Sequence, residues 1–519
     1  MRYLLCVLTL FIFINSELTS QAKWDRTWVT SSNTSAFNST IIDFNKNPIE
    51  LDTMRYRAGF SRYAAFISSY MTGKLLMYTN GCELMNSAGG FVKNGSVINL
   101  LSDGNSTGYC KSEKDTSKVG FSGWAQDIMF IPLDTLDEEF LLVYNPRKEI
   151  KEFPYLAIKE LASSRIILNN DIEYEVVEKD KVLFNTLNMT SASLNLINIP
   201  GPKLAWWLIT ADNYTNIYYR LYVSKDSLSS ATKMVIDEIV PDNANGLSSK
   251  FNPDGTQYAK VEVPVDSSVN WVYLFNFERT TGELSYNQKW QVPNELSLGS
   301  GLEFSASGRF LYVTRHLQVY QYDMWASDIP GSVEVVAEWD GFQELGFIGN
   351  FFYPQRAPDC RIYINSTSSL KYYHYINHPE VKGKGCDVRQ HALELVEWHA
   401  GSIPFFPNYR LDYTCPVCDS TLELPIQVSS EDVPVSKGYM RVGPNPCREE
   451  LRVMLTVGSA MPEAEVFIYD INGRMHQQVP VFGVDQVVLD TGSLQSGVYI
   501  LQLRQRGKII QSEKFIKIE

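Results

Sequence analysis

The residues in this sequence that are best suited to chemistry are its eight cysteines and six histidines. Cys415-Pro416-Val417-Cys418 has the two-residue spacing of a thiol redox pair or of half a zinc site. It lacks a second cysteine pair nearby and a following helical pattern. A structural disulfide is therefore the favoured interpretation, and metal binding and redox chemistry are the alternatives.

The remaining cysteines also look like disulfide partners if the chain reaches an oxidising compartment. The pairs that are nearest in sequence are Cys82–Cys110 and Cys360–Cys386. Each would close a short loop and restrict the unfolded chain. Cys415–Cys418 is the third candidate pair, and Cys447 is left over.

The histidines do not form a recognisable ligand set. His374 and His378 are four residues apart, which brings side chains together on a helix but leaves them about 13 Å apart on a strand. The sequence around them is typical of a strand and a loop. We expect these two residues, and also His391 and His399, to be structural or surface histidines, and we predict no metal site and no cofactor.

Common catalytic motifs are missing from the sequence. It has no Gly-x-Ser-x-Gly nucleophile elbow, no His-Glu-x-x-His zinc motif and no glycine-rich phosphate-binding loop. Scattered carboxylates could include the pair that a glycosidase needs, but nothing in the sequence selects two of them. We predict no catalytic residue and favour a protein that is not an enzyme, although activity stays open.

The first 22 residues have the pattern of a secretory signal peptide. Arg2 is followed by the apolar stretch 3–14, and Ser20 and Ala22 supply the small residues of a cleavage site. No later stretch is apolar for eighteen residues, so we expect no transmembrane segment in the mature chain. The sequence therefore predicts export of a protein that begins near residue 23.

The rest of the chain has strand patterns and almost no helical ones. Short aliphatic or aromatic runs alternate with turn residues every eight to twelve positions. Typical runs are 75–78, 140–144, 206–209, 218–222 and 271–275. We predict an all-β protein.

Several of these strands follow the same kind of polar turn at a nearly regular interval. The turns contain Gly73, the acidic stretch 137–139, Gly201, Gly255, Gly308 and Cys360. A period of about fifty to sixty residues with several strands per unit is typical of a β-propeller. We favour seven blades, with six as the alternative, and a β-sandwich with accidental spacing remains the competing fold.

The propeller pattern weakens after Tyr409, which suggests three regions beyond the leader. We predict a β-propeller over 23–413, a linker over 414–439 and a small Ig-like β-sandwich over 440–519. The charges of the last region balance, so most of the net charge of −13 belongs to the propeller. This acidity argues against nucleic acid as a partner, and we predict none.

The last 80 residues resemble the C-terminal sorting domain of the type IX (Por) secretion system of Bacteroidetes. The resemblance begins at the Gly-Pro-Asn-Pro motif, continues through a strand that ends in an Asp-Ile-Asn-Gly turn, and closes with a Lys-Phe-Ile-Lys strand. The residues that carry it are Gly443, Pro444, Asn445, Pro446, Asp470, Gly473, Gly497, Tyr499, Lys514 and Lys517. The resemblance implies the type IX machinery as a partner, and delivery outside the cell or to the outer cell surface.

Residues 25–413 are similar, less specifically, to large secreted propellers of Bacteroidetes. The similar segments include 73–81, 301–305, 311–313, 320–323, 358–363, 377–379, 402–404 and 407–411. The resemblance implies architecture and says little about activity. Our first hypothesis is a propeller that binds an unknown glycan or protein ligand. The alternatives are a propeller hydrolase acting on polysaccharide or peptide, and a structural component of the surface or gliding machinery.

Overall fold

A computed structural model of the full chain describes most of its residues. The described residues are 22–31, 38–55, 64–98, 126–149, 156–170, 173–186, 189, 193–212, 215–240, 248–262, 269–293, 300–411, 418, 420–425, 440–443, 445–455, 464–481, 486–505 and 508–518. Residues 1–21, which are all of the predicted leader except Ala22, lie outside these ranges. The chain divides into two compact units, 1–426 and 427–519, which we describe separately.

The predicted all-β class is confirmed. In the described ranges the only helical segments are two short 3-10 helices, Pro330–Ser332 and Gly383–Cys386. No helix in these ranges is long and apolar enough to cross a membrane.

In the described part of the first unit, most strands belong to seven antiparallel sheets that follow one another along the chain. Each sheet is a meander in which neighbouring strands are also consecutive, apart from a hairpin inserted in sheet 3. Sheet 1 is β1 (Thr27–Ser31), β2 (Asn38–Asp43) and β3 (Glu50–Arg55), and sheet 2 is β4 (Ala65–Ser68), β5 (Leu75–Thr79) and β6 (Leu84–Asn86). Sheet 3 is β7 (Ile128–Pro132), β8 (Glu139–Tyr144), β11 (Glu160–Asn169) and β12 (Glu173–Asn185), with β9 (Arg147–Glu149) and β10 (Leu156–Ile158) paired as the inserted hairpin.

Sheets 4 to 7 have four strands each. Sheet 4 is β13 (Asn195–Asn198), β14 (Ala205–Ala211), β15 (Thr215–Ser224) and β16 (Thr232–Val240), and sheet 5 is β17 (Ser248–Phe251), β18 (Gln257–Glu262), β19 (Trp271–Glu278) and β20 (Glu283–Gln291). Sheet 6 is β21 (Ser300–Phe304), β22 (Phe310–Arg315), β23 (Gln318–Asp323) and β24 (Glu334–Glu338). The short hairpin of β25 (Gln343–Glu344) and β26 (Phe347–Ile348) then precedes sheet 7, which is β27 (Pro354–Arg356), β28 (Ile362–Ile364), β29 (Ser369–Ile376) and β30 (Val388–Ala400).

The sequence repeat marks the same turn in sheets 2 to 7, the one between the first and second strands. Five of its residues, Gly73, Asp137, Gly255, Gly308 and Cys360, have φ between +61° and +75°. At Gly255 the packing also requires glycine, because a Cβ there would lie 2.8 Å from Cδ1 of Ile197 in the preceding sheet. The regular spacing of these residues in the sequence is therefore the spacing between equivalent tight turns of successive sheets.

Consecutive sheets pack against one another, and the last sheet also packs against the first. The first strands β13, β17, β21 and β27 are neighbours in that order, and β30 lies against all three strands of sheet 1. Trp28 of sheet 1 packs on Tyr363 of sheet 7 with ring centroids 5.7 Å apart. Between the same two sheets, the backbone amide of Glu397 donates to Oγ1 of Thr40 over 2.8 Å.

The disulfide pairing differs from the expected one. Cys360 is bonded to Cys418, with Cα atoms 5.1 Å apart, so the expected pairs Cys360–Cys386 and Cys415–Cys418 are wrong. Cys386 is free and buried in the core between sheets 6 and 7. Proximity in sequence failed as a guide because Cys360 lies on the turn that precedes β28, whereas Cys386 follows β29 in the packed interior.

The segment around Cys418 returns to that turn. The Arg361 guanidinium donates from Nη1 to the carbonyl of Leu422 over 3.1 Å, and this contact holds the segment beside the turn. Cys82 is disulfide-bonded, but Cys110 and Cys415 lie outside the described residues, so the pair Cys82–Cys110 stays a prediction.

The second unit consists of two packed sheets. One contains β31 (Met440–Gly443), β32 (Glu450–Leu455) and β35 (Gln486–Asp490), and the other contains β34 (Met475–Pro480), β33 (Ala464–Asp470), β36 (Gly497–Gln505) and β37 (Lys508–Lys517) in that spatial order. The core between them includes Leu451, Val453, Ile468, Leu501 and Phe515. Alternate residues of β32 and β36 point inward, as expected for half-buried strands.

Candidate functional site

Polar and charged side chains are buried on the first strands of sheets 4 to 7. Asn195, Lys250, Glu303 and Gln355 lie on β13, β17, β21 and β27, and all are almost inaccessible to solvent. Because these strands are neighbours, their side chains converge. With Asp25, Arg356 and Arg410 they line one small cavity, and we call these seven residues the polar cluster.

Lys250 is the central cation of the polar cluster. Its Nζ lies 3.1 Å from Oε2 of Glu303 and donates to Oε1 of Gln355 over 2.7 Å. The ammonium group also lies 4.1 Å from the centroid of the Phe405 ring. Burial lowers the pKa of Lys250, and the nearby Glu303 carboxylate opposes that change.

The other charged groups of the cluster are also paired. Oε2 of Glu303 accepts a hydrogen bond from the backbone amide of Arg356 over 3.1 Å. The Arg356 guanidinium donates to the carbonyls of Phe304 and Ser305. Asp25 forms an ion pair with Arg410. The two carboxylates of the cluster are therefore each held by a cation rather than available to a substrate.

The cavity itself is small. Its volume is about 30 Å³, which has room for one or two water molecules and none for a sugar ring. The pair of available carboxylates that a glycosidase requires is therefore not provided here. The arrangement is that of a buried structural network.

Residues 402–411, which we call the exit segment, cover this cavity. The Tyr409 hydroxyl donates to the carbonyl of Phe130 over 2.6 Å. The side-chain amide of Asn408 donates to the carbonyl of Pro253 over 3.0 Å. The backbone of Asn408 also pairs with Ile197.

The same segment reaches sheet 7, because the amide of Phe406 donates to Oε1 of Gln355 over 3.2 Å. It therefore contacts sheets 3, 4, 5 and 7 near the point where their first strands end. We call this the sealed end of the unit. The turns between second and third strands lie at the opposite end.

The four histidines of interest have structural surroundings. His374 and His399 are buried in sheet 7, and burial lowers their pKa to about 3 and about 4. Nδ1 of His374 accepts the backbone amide of His391 over 3.0 Å, and Nε2 of His391 lies 2.8 Å from Asp340. His378 is exposed. Across the described ranges, no three His, Cys, Asp or Glu side chains are placed to share a metal ion.

In the second unit, the opening and closing elements of the predicted sorting signal meet. The Asn445 side chain donates from Nδ2 to the carbonyl of Lys514 over 3.0 Å and accepts the amide of Ile516 over 2.9 Å. The backbone of Cys447 bonds to Ile516 in the same strand and to Ile518 directly after that strand. The motif at the start of the unit therefore forms an extra contact along its last strand.

The remaining sorting residues occupy turns and the ends of strands. Oδ1 of Asp470 accepts the backbone amides of Asn472 and Arg474. The contact with His476, followed by these backbone bonds, lowers the pKa of Asp470. Gly473 completes this turn with φ of +82°.

Tyr499 points into the core of the second unit and stacks on Phe515, with ring centroids 5.5 Å apart. Gly497 begins β36 and pairs with Lys517, and Pro446 lines an open groove with Gly443 and Lys517. Pro444 lies outside the described residues. The structure thus brings Gly443, Asn445, Pro446, Lys514 and Lys517 to one side of the unit and places Asp470 and Gly473 in a separate turn.

Sequence analysis did not identify the polar cluster, although a signal for it was present. Lys250, Glu303 and Gln355 each lie five positions before a repeat turn, at Gly255, Gly308 and Cys360. The three repeats therefore share a polar residue at the same distance before the turn.

Comparison with known proteins shows which family the second unit resembles. Residues 441–519 match the family model of the secretion system C-terminal sorting domain. The resemblance to the type IX sorting domain is therefore confirmed for this region. No curated protein matches the sequence of the chain.

Several solved structures are similar to the chain at low identity. The periplasmic gluconolactonase of Pseudomonas aeruginosa shares 12% identity over 73% of this chain and 99% of its own, with a TM-score of 0.36. The β-propeller domain of Cps50 (Swd1) from Myceliophteria thermophila shares 11% over 66% of this chain and 91% of its own, with a TM-score of 0.36. The Kuenenia stuttgartiensis hydrazine synthase shares 9% over 75% of this chain and 92% of its own, with a TM-score of 0.33.

Proposed function

We propose that the seven sheets of the first unit close into a seven-bladed β-propeller and that the second unit is an Ig-like sandwich. Two observations support the closed ring. Sheet 7 packs on sheet 1 through Trp28 and Tyr363, and the exit segment bonds to the first strands of sheets that are far apart in sequence. We retain 23–413, 414–439 and 440–519 as the propeller, linker and sorting domain.

We further propose that the chain is a secreted or cell-surface protein of a Bacteroidetes bacterium. Residues 1–22 would direct it across the inner membrane, and the sorting domain would direct it through the type IX machinery. The family match of residues 441–519 supports the second step.

For the propeller we propose binding of a glycan or a protein partner at the end opposite the sealed one. The observation that carries this proposal is the combination of a sealed end and a polar cluster whose carboxylates are already paired around a cavity of about 30 Å³. This small cavity has no room for a substrate. The loops at the opposite end of the unit remain accessible to a ligand. No contact among the described residues specifically supports a hydrolase or a structural component of the surface or gliding machinery.

The proposal can be tested by blocking each end with a polymer. Leu317 lies in the β22–β23 turn at the opposite end and Leu136 in the β7–β8 turn at the sealed end, and both are exposed. Leu317→Cys and Leu136→Cys variants of residues 23–519 would be coupled to maleimide-polyethylene glycol. The wild-type chain treated in the same way controls for labelling of native cysteines.

Each conjugate would then be applied to an array of bacterial and host polysaccharides and to immobilised envelope proteins. We expect the polymer at position 317 to abolish binding and the polymer at position 136 to leave it unchanged. The reverse pattern, or no ligand on either surface for the unmodified protein, would contradict the proposal.

A further inference from the structure

The hairpin of β25 and β26 has a turn whose sequence does not suit its geometry. Glu344 pairs with Phe347, so the loop consists of Leu345 and Gly346 alone, with φ of +51° and +84°. Positive φ at both positions is the signature of a type I′ turn, which favours Asn-Gly or Asp-Gly. Leu345 is in a backbone conformation that a branched apolar residue rarely adopts.

The same residue is also unusually exposed. Leu345 is 83% exposed to solvent, and Phe347 and Ile348 are exposed as well. Phe347 and Ile348 are adjacent in a strand and so point to opposite faces. Both faces of the hairpin are therefore at least partly in contact with solvent. We call residues 343–348 the finger, and it carries three exposed apolar side chains.

The base of this hairpin is fixed, so its shape does not depend on a partner. The amide of Gly349 donates to the carbonyl of Phe342 over 3.0 Å, and the Phe342 ring stacks on His391 at 4.2 Å. The Phe347 ring lies 6.3 Å from that of Trp398 in β30. A finger held at its base presents its tip in one position, which lowers the entropy cost of binding.

Acidic residues surround the base of the finger. Asp340 and Glu344 belong to the connection itself, and Glu394 lies on the neighbouring strand β30. Burial raises the pKa of Glu344, Lys371 opposes that rise, and the nearby Glu394 carboxylate adds to it. Lys371 faces Glu344 and His391 faces Asp340, so these three carboxylates stand against one lysine and one histidine at the base of the finger.

Neither the strained backbone nor the exposed tip benefits the isolated protein. Strain that persists at one exposed position is characteristic of functional sites, and exposed apolar side chains with a polar rim mark protein interfaces. The hairpin also precedes the first strand of sheet 7, so it lies at the end of the unit opposite the sealed one.

We infer that the hairpin 343–348 is the docking element for a protein partner, with Leu345 inserted in an apolar cleft whose rim carries lysine or arginine. This inference rests on the proposed binding function and names its partner class. The acidic base selects against an anionic lipid surface or a polyanionic glycan, and it would pair with the basic rim of the partner.

The test places a photo-crosslinking benzoylphenylalanine at position 345 of the full chain in the producing organism. A second chain carries the same group at position 136, an exposed leucine at the sealed end. We expect a protein adduct from position 345 that is absent from position 136, and the crosslinked surface of that protein should contain apolar residues bordered by lysine or arginine. Adducts only with lipid, glycan or another copy of this chain, or no adduct, would overturn the inference.

A substitution then separates binding from folding. Leu345→Asn keeps a residue that accepts positive φ but removes the apolar tip. We expect it to weaken the affinity for the purified partner at least tenfold while the melting temperature stays the same or rises. Equal affinity of the wild type and this variant would overturn the inference. If polymer at position 317 still blocked ligand binding in that case, the proposed binding function would stand although the docking role of the hairpin would not.

Discussion

Arg410 in the exit segment forms an ion pair with Asp25, near the beginning of the first unit. The two residues are 385 positions apart in sequence, and both side chains are largely buried. Removal of one partner from such a pair leaves an uncompensated buried charge.

We therefore expect Arg410→Ala to destabilise the first unit by about 3 kcal/mol. Lys203→Ala is the matched control, because the Lys203–Asp226 ion pair is exposed on both sides and its loss should change stability by less than about 0.5 kcal/mol. Urea unfolding of both variants, followed by tryptophan fluorescence, measures the difference. Equal effects of the two substitutions would show that the exit segment contributes little.

The stability of the first unit should fall in mild acid because two buried histidines resist protonation. The pKa values of His374 and His399 in the folded protein are about 3 and about 4, below the ordinary value of 6.5. The unfolded chain therefore takes up protons first as the pH falls, and stability present above pH 6.5 is lost towards pH 4. The loss should reach about 2–3 kcal/mol per histidine near pH 4.5.

Chemical denaturation at a series of pH values checks this dependence. His374→Gln removes one of the two titrating groups and should make the pH dependence shallower, although its overall stability at neutral pH will also change. His378→Gln is the control, because His378 is exposed. An identical slope for all three proteins would refute the role of burial.

The disulfide should join Cys360 to Cys418 in the exported protein, and Cys386 should carry a free thiol. Burial raises the pKa of Cys386 to about 11, so this thiol should not react with maleimide until the protein unfolds. Peptide mapping without reduction identifies the linked pair. A linked peptide that contains Cys386 would contradict the structure.

Loss of this bond should cost about 4 kcal/mol, since the two cysteines enclose a loop of 58 residues. A Cys360→Ser, Cys418→Ser double variant compared with wild type by urea unfolding gives the value. A Cys447→Ser variant is the control, because Cys447 is free.

Deletion of residues 440–519 should leave the first unit folded but retained in the periplasm. The reason is that the deletion removes the whole sorting domain while the core of the first unit lies in its own residues. Cell fractionation and immunoblotting of the truncated and full chains measure the outcome. Delivery of the truncated protein to the medium or surface would contradict a sorting role for this domain.

The sequence predicted much of the framework because the repeat turns need positive φ and tight packing. Gly73, Gly255 and Gly308 therefore left a visible interval, and the second strand of each sheet follows it directly. The disulfide could not be predicted in the same way. Whether Cys360 meets Cys386 or Cys418 depends on how the chain returns to the turn after sheet 7, and no local pattern records that path.

The candidate sites were less predictable than the framework. Lys250 and Glu303 lie in different sheets, and their pairing depends on the contact between β17 and β21. Leu345 gave no turn signal because its type contradicts the preference of a type I′ turn. A prediction based on the residues that a turn prefers cannot find a turn such as this one, where a leucine stands in place of the preferred residue.

The exit segment also imposes an order on biosynthesis. Tyr409 and Arg410 contact residues made hundreds of positions earlier, so a nascent chain emerging from its N-terminus cannot make these contacts until nearly the whole first unit has been translated. A first unit that stops before residue 402 would therefore lack the contacts that cover the polar cluster.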